Sequence, residues 1–191
     1  MTMSAPPQSA IDREANQALL AELRRSCDRF LKVLKDVPEN REKIRATEGT
    51  WSILDCAEHV CLGEELMFAA LKKRRPTDAP PDMKKDAVIH KIALDRSRKA
   101  ASPEQAKPIG RYASLSEVVE VFRSSRQRTI DYVDGLNENL RSSTCVHPFG
   151  VFDSYQLVEI MALHSERHAL QIEGIKNSIA YKAASQQQAM H

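Results

Sequence analysis

Two histidines, His164 and His168, stand four positions apart in a segment whose apolar residues repeat with a helical period. Side chains at this spacing project from one face of a helix, one turn apart. Leu157, Met161 and Ile172 continue the same stripe, so we expect this face to point into a protein interior. Two imidazoles placed in this way can chelate one divalent metal ion. A third ligand from a neighbouring helix would leave one coordination position open for water or substrate.

His59 is the candidate third ligand. It lies in another helical segment and shares its stripe with Cys56, Leu62 and Leu66. Three neutral imidazoles suit zinc, nickel or iron, and they carry no charge that would offset the charge of the metal. A water or thiol bound there would therefore be strongly acidified. The alternative is a core of buried histidines that hydrogen-bond to their neighbours, and the spacing alone leaves both interpretations open.

Polar residues next to these histidines are expected to have supporting roles. Glu58, Glu166 and Arg167 are turned away from the predicted ligands by about 100° per residue, so none of them is expected to bind metal. For Glu58 we expect a solvated or ion-paired carboxylate. Gln171 lies one turn beyond His168 and is placed to orient its imidazole through a hydrogen bond. No residue is assigned as a general acid or base, so the catalytic residues stay unknown.

Three other residues have both a chemical and a structural interpretation. Trp51, the only tryptophan, is expected to anchor the start of a helix rather than to bind a ligand. His147 precedes Pro148 and is expected to be an ordinary surface residue of a loop, although it could cover a site. Cys56 lies one turn before His59, and we expect a buried thiol there rather than a metal ligand.

The apolar periodicity predicts four long helices that would position these side chains. They run from about residue 11 to 36, 51 to 73, 114 to 133 and 153 to 177. At 1.5 Å per residue each is about 30–37 Å long, and helices of matching length are typical of a bundle. The predicted fold is therefore an all-α four-helix bundle. Residues 76–113, which are rich in proline and charge, are predicted to form one long crossover connection containing a helix.

The domain organisation is predicted to be simple. Residues 1–10 are expected to form a disordered N-terminal tail, residues 11–180 a single four-helix-bundle domain, and residues 181–191 a flexible C-terminal tail. The capping-box spacings Ser52–Asp55 and Ser114–Glu117 mark the starts of two helices. The segment after residue 135, which includes Pro148, Phe149 and Gly150, is expected to be a loop.

Composition excludes several classes of protein. The chain has 191 residues, with 28 Lys and Arg against 26 Asp and Glu, and this near balance argues against a nucleic-acid-binding protein. Aromatic residues make up 5% and there are six glycines, which argues against an all-β fold. No signal peptide or membrane-spanning segment is recognisable, so we expect a cytoplasmic protein with no membrane partner. The four cysteines are expected to be free thiols.

Two segments of the chain resemble DinB-like proteins of the DinB/YfiT type. They are GTWSILDCAEHVCLGEEL, with His59 eight residues after the tryptophan, and HPFGVFDSYQLVEIMALHSERHALQIEGI, with the histidine pair followed by Gln-Ile. The resemblance covers roughly residues 12–177, but the charged connection of residues 76–113 does not match it. It implies a four-helix bundle in which His59, His164 and His168 hold a divalent ion. It also implies a homodimer, and in some family members a transferase that uses the metal to activate a low-molecular-weight thiol.

The expected function is therefore that of a metal-dependent enzyme. A three-histidine site would activate a thiol or water for transfer to, or hydrolysis of, a small molecule, as in a thiol S-transferase or a hydrolase. The alternative is a metal- or ligand-binding bundle without turnover, and a third interpretation is a purely structural bundle. The enzyme and the binding protein differ in whether an acid or base borders the open coordination position.

Overall fold

Four long helices form a bundle in the computed structural model, which describes residues 8–97, 102–136 and 138–188. In chain order the helices of these residues are α1 (Gln8–Lys35), α2 (Ile53–Lys72), α3 (Met83–Leu94), α4 (Leu115–Asp134), α5 (Ser154–Lys176) and α6 (Ile179–Gln188). Helices α1 and α2 each pack against both α4 and α5, so these consecutive helices occupy diagonal corners of the bundle. The predicted four-helix bundle is confirmed.

Local capping signals determine where the long helices begin. Ser52 precedes α2, where its hydroxyl accepts a hydrogen bond from the Asp55 N–H and the Asp55 carboxylate accepts one from the Ser52 N–H. The same reciprocal pair forms at α5 between Asp153 and Gln156. Ser114 caps α4. Such caps satisfy backbone N–H groups that have no partner within the helix, which fixes the phase of each apolar face.

A buried ion pair ties the four helices of the bundle together. The guanidinium of Arg126, fully buried on α4, forms two hydrogen bonds of 2.9 and 2.8 Å to the carboxylate of Glu64 on α2. It also donates to the Leu23 carbonyl and Ser26 hydroxyl of α1, at 3.0 and 2.9 Å, and to the Met161 carbonyl of α5 at 3.1 Å. Apolar clusters lie on both sides of this network.

A small antiparallel sheet replaces the loop that was expected before α5. Its strands are β1 (Arg75–Pro76), β2 (Ser143–His147) and β3 (Gly150–Asp153), paired in the order β1-β2-β3. Cys145 of β2 lies opposite Phe152 of β3, and both side chains join the apolar core at this end of the bundle. Buried residues alternate along β2, which is the period of a strand. The run is only five residues long, too short for its alternation to distinguish a strand from a loop in the sequence.

The crossover connection contains the predicted helix. Within residues 76–113, α3 packs on α5 through the buried side chain of Ile89, while Met83 and Ile92 face solvent. The far end of the connection carries a 3-10 turn, Glu104–Ala106. None of the described helices is long and apolar enough to cross a membrane.

The two predicted tails are partly helical. Helix α1 begins at Gln8 rather than near Ile11, and α6 covers Ile179–Gln188, where a flexible tail was expected. The reason at the C-terminal end is Tyr181, which is only 7% exposed and packs into the apolar core. The N–H of Tyr181 donates a 3.3 Å hydrogen bond to the Ser178 hydroxyl, which helps to start the helix. Residues 1–7 and 189–191 of the predicted tails lie outside the described residues.

Candidate metal centre

Three imidazoles meet at the interface between α2 and α5. His59 comes from α2 and the pair His164 and His168 from α5, and one ring nitrogen of each lies within 4.8 Å of those of the other two. The Nε2 atoms of His59 and His164 are 3.0 Å apart. The ring centroids form a nearly equilateral triangle with sides of 4.9, 4.6 and 4.7 Å. The structure thus brings together all three residues that the sequence singled out.

A backbone carbonyl fixes the orientation of His59. The Nδ1–H of its imidazole donates a 2.6 Å hydrogen bond to the carbonyl of Ala106, in the 3-10 turn of the crossover connection. A carbonyl can only accept, so Nδ1 carries the proton and Nε2 carries the lone pair. Nε2 of His59 lies 3.0 Å from Nε2 of His164, so its lone pair is available to a metal ion between the rings.

His168 has a buried nitrogen whose hydrogen-bonding capacity is not used. Its side chain is only 5% exposed, and its Nδ1 atom has no hydrogen-bond partner among the described residues. Gln171, one turn further along α5, interacts with this histidine and acts to raise its pKa. The sequence had proposed such an orienting contact.

The surroundings of all three imidazoles lower their pKa and so favour the neutral form. Burial lowers the pKa of His164 well below its usual range, and the neighbouring rings of His168 and His59 lower it further. Burial and His59 do the same for His168. Burial also lowers the pKa of His59, although the bond to Ala106 opposes this effect. Neutral imidazoles are the form that binds metal.

The walls of the cluster are shaped by Gly63 and Trp51. A β-carbon at Gly63 would lie 2.7 Å from Cε1 of His164, so the absence of a side chain there makes room for the imidazole. The ring of Trp51 lies 4.7 Å from the ring of His59 and 6.3 Å from that of His168. Trp51 also packs against the apolar core at the start of α2, as predicted.

Glu58 differs from the sequence interpretation. It was expected to be solvated or ion-paired, but it is only 1% exposed. Its carboxylate accepts backbone hydrogen bonds from Ile109 at 2.7 Å, Gly110 at 3.2 Å and Arg111 at 3.2 Å. Three such bonds replace the water that a buried carboxylate loses. The donors are about fifty positions away, so no local pattern in the sequence reveals them.

The residues between the paired histidines point away from the cluster, as expected. Glu166 forms a 2.8 Å ion pair with Arg29 of α1. Arg167 donates to the carbonyls of Ala93 and Asp95 at the end of α3, at 3.1 and 2.5 Å. The two side chains therefore bind α1 and the end of α3 to α5, on either side of the histidine face.

Two other candidates have structural roles. His147 is at the end of β2 and is only 8% exposed, so the prediction of an ordinary surface residue is wrong. Burial lowers its pKa, and its Nδ1 accepts a 3.3 Å hydrogen bond from the Phe149 N–H of the hairpin turn. Cys56 is fully buried and, together with the other three cysteines, is a free thiol. It does not belong to the histidine cluster.

The dimensions of the cluster are compatible with a divalent ion. Two nitrogen ligands of a tetrahedral zinc ion, each about 2.0–2.1 Å from the metal, lie about 3.4 Å apart. The 3.0 Å separation of the Nε2 atoms of His59 and His164 reaches this value with a small outward movement. The fixed tautomer of His59 fits the same interpretation.

Comparisons with known proteins agree with this fold. The model of the DinB superfamily matches residues 22–172. YfiT from Bacillus subtilis, described as a probable metal-dependent hydrolase with an unusual four-helix bundle topology, superposes with a TM-score of 0.58 at 11% identity, over 92% of this chain and 91% of its own. TT2238, a four-helix bundle protein, superposes with a TM-score of 0.54 at 20% identity. The match covers 83% of this chain and 98% of TT2238. No curated protein matches the sequence.

Proposed function

The chain belongs to the DinB superfamily, and on that premise we propose that it is a metal-dependent enzyme. His59, His164 and His168 hold a divalent ion of zinc, nickel or iron, and the open coordination position receives a thiol or a water molecule. The reaction is transfer of the thiol to a small molecule, or hydrolysis of one. YfiT, which shares the fold, is described as a probable metal-dependent hydrolase.

The observation that carries this proposal is the convergence of three neutral imidazoles from two helices. Histidines that only fill a core each find a hydrogen-bond partner, since an unsatisfied buried nitrogen is costly. Here the rings face one another, and the Nδ1 atom of His168 has no partner among the described residues. A metal ion satisfies this arrangement, whereas a purely structural core leaves it unexplained.

The chain's own residues prepare the site for chemistry. A bound divalent ion supplies Lewis acidity, which lowers the pKa of a coordinated water or thiol. The bond from His59 to the Ala106 carbonyl holds one ligand in the correct tautomer. Trp51 lies against the ring of His59 and excludes water from that side. As a whole residue His164 is partly buried, whereas His59 and His168 are almost fully buried.

The charge around the site favours an anionic reactant. The cluster contains no carboxylate, so the ligands do not neutralise the charge of the ion. The charges of Arg167, which points away from the cluster, and of Arg96 both act to lower the pKa of His168 and so add positive potential at a distance. A thiolate or a carboxylate-bearing substrate would be stabilised in such surroundings.

The second candidate function is a metal- or ligand-binding bundle without turnover. It is favoured by the composition of the cluster, which among the described residues consists of three histidines and no carboxylate. The proposal has further parts. We propose that the substrate is a low-molecular-weight thiol, that the protein is a cytoplasmic homodimer, and that it has no nucleic-acid or membrane partner. The two candidates separate on turnover alone, because both require the metal.

The experiment is a comparison of metal content and activity in three proteins purified without a nickel column. Wild type is expected to hold about one equivalent of metal, and the double variant His164→Ala/His168→Ala none. The control is His90→Ala, because His90 is exposed and pairs with Glu159 on the outside of the bundle.

Thiol transfer to an electrophile and ester hydrolysis are then assayed in the reconstituted proteins. Metal-dependent turnover in wild type and His90→Ala, but not in the double variant, supports the enzyme. Metal without turnover supports the binding bundle. No metal in wild type, even after addition of zinc or nickel, contradicts both.

A further inference from the structure

We propose that Glu58 is a positioning residue for His59, acting through the crossover connection between residues 102 and 113. The Glu58 carboxylate holds this connection on α2. The Ala106 carbonyl of the connection in turn accepts a hydrogen bond from the imidazole of His59 and fixes its orientation. The proposal rests on the proposed function in one respect, that His59 is a metal ligand.

The clamp consists of three successive N–H groups that converge on one carboxylate. Ile109 donates to Oε1 of Glu58 at 2.7 Å, Gly110 to Oε2 at 3.2 Å and Arg111 to Oε1 at 3.2 Å. Gly110 has a φ of +74°, a left-handed conformation that glycine adopts without strain. Consecutive N–H groups around such a residue form a concave anion-binding nest, and here the anion is a side chain of the same protein.

Polar bonds hold residues 109–111, and the buried side chains of Ala106 and Tyr112 flank them on either side. The side chain of Ile109 is 75% exposed, so it contributes little packing. Glu58 itself is 1% exposed. A buried carboxylate requires hydrogen bonds to compensate for lost hydration, and the N–H nest provides them. The connection and the carboxylate therefore stabilise each other.

The clamped connection delivers an acceptor to the metal centre. Three residues before Ile109, the Ala106 carbonyl accepts the Nδ1–H of His59 at 2.6 Å, and Ala106 itself is 2% exposed. The hydroxyl of Ser102 lies 3.4 Å from the same nitrogen. The bond to Ala106 keeps the proton on Nδ1, which leaves the Nε2 lone pair for a metal.

Loss of the clamp is therefore expected to act on His59. Without the carboxylate, the three N–H groups turn to water. Residues 106–111 then shift relative to α2, although Tyr112 stays in the core and Arg111 keeps its ion pair with Glu65. The Ala106 carbonyl then no longer fixes the imidazole, so the ring samples both tautomers and other orientations. Partners of metal-binding histidines typically contribute 10–100-fold to metal affinity, and we expect an effect of about this size.

The test compares Glu58→Gln and Gly110→Ala with a matched control, Glu42→Gln. Glu58→Gln keeps the size of the side chain but turns an amide N–H group toward the nest. Gly110→Ala weakens the nest by a different route, since alanine is strained at the positive φ of this position. The new β-carbon would meet no atom within 4 Å, so the change adds no steric clash. Glu42 is also a buried carboxylate that accepts a backbone N–H, that of Leu115 at 3.0 Å, but it contacts no histidine.

Three measurements are made on each folded protein. Amide hydrogen exchange reports protection of residues 109–111, long-range proton–nitrogen NMR of the metal-free protein reports the tautomer of His59, and titration with cobalt(II) reports metal affinity. In both test variants we expect lost protection, a mixture of His59 tautomers and cobalt affinity about 10–100-fold weaker. Glu42→Gln is expected to match wild type in all three.

Two results would overturn the proposal. One is a folded Glu58→Gln protein in which His59 keeps its Nδ1 proton. The other is an equal loss of affinity in Glu42→Gln, which would indicate general destabilisation. Failure of the proposed function looks different: wild type then binds no cobalt, while the tautomer and exchange measurements still show whether Glu58 positions His59.

Discussion

The imidazole of His164 lies directly against Gly63, the only position of α2 that carries no side chain. A β-carbon built at Gly63 would be 2.7 Å from Cε1 of His164 and 3.3 Å from its Nδ1. Because 2.7 Å is far inside van der Waals contact, any side chain at this position must displace the ring. The close approach of α2 and α5 at the candidate metal centre therefore depends on glycine.

We predict that Gly63→Ala disrupts metal binding without unfolding the protein. The atom that must move is the end of a side chain, so the backbone can stay in place, and alanine favours a helix over glycine by about 1 kcal/mol. The displaced His164 is expected to weaken metal affinity about tenfold or more, since ligand geometry tolerates only small shifts. Calorimetric metal titration and thermal unfolding of the same samples test this prediction.

Gly174→Ala is the matched control for this experiment. It is also a glycine-to-alanine change in a long helix, but a β-carbon at Gly174 meets no atom within 4 Å. Metal affinity is expected to stay at the wild-type value. Equal affinity in Gly63→Ala and wild type would show that His164 is not needed in its present position.

The parts of this structure that the sequence predicted are those with local signals. The start of α2 follows from the Ser52 and Asp55 capping pair, three residues apart. The pairing of His164 with His168 follows from helical spacing. The position of His59 on an inward stripe, combined with the family resemblance, was enough to place three residues from two helices at one cluster.

The parts that the sequence did not predict depend on partners far along the chain. Glu58 receives Ile109 from 51 positions away, and Arg126 meets Glu64 across 62 positions. In the sequence Glu58, Glu64 and Arg126 are ordinary charged residues, and such residues usually lie at the surface. Burial of such groups becomes visible only when the fold brings the compensating hydrogen bonds to them.

The buried pair of Arg126 and Glu64 is predicted to be essential for stability. Arg126→Met leaves the Glu64 carboxylate buried, and among the described residues its remaining hydrogen bond comes from the Thr129 hydroxyl at 3.1 Å. Breaking a buried pair in this way typically costs about 3–5 kcal/mol of the free energy of unfolding. Urea denaturation measures the loss.

The double variant Glu64→Leu/Arg126→Met tests the reason for that loss. Because it removes both charges, we expect it to be more stable than Arg126→Met alone. The control is the exposed pair Glu22 and Arg25, where replacement of either residue by alanine should leave the denaturation midpoint unchanged. A double variant no more stable than Arg126→Met would show that the lost bonds to backbone carbonyls dominate.

Cys56 is predicted to be an inert thiol. Burial raises its pKa to about 12, so at pH 8 roughly one molecule in 10⁴ carries the reactive thiolate. In the native protein, iodoacetamide is expected to modify the half-buried Cys27 first and to leave Cys56 unmodified until unfolding. Peptide mass spectrometry after timed labelling gives the order of modification.

Cys56→Ala should keep the full metal content. A loss of metal in a folded variant would identify the sulfur as a ligand.

Trp51 is predicted to report metal binding through its fluorescence. It is the only tryptophan of the chain, and its ring lies 4.7 Å from that of His59 and 6.3 Å from that of His168. Cobalt(II) and nickel(II) quench indole emission at such short range, so each is expected to reduce the emission with the same midpoint as calorimetric binding. The double variant His164→Ala/His168→Ala keeps Trp51 and His59 but should show no saturable quenching. Saturable quenching that persists in this variant would place the bound ion elsewhere than among the three histidines.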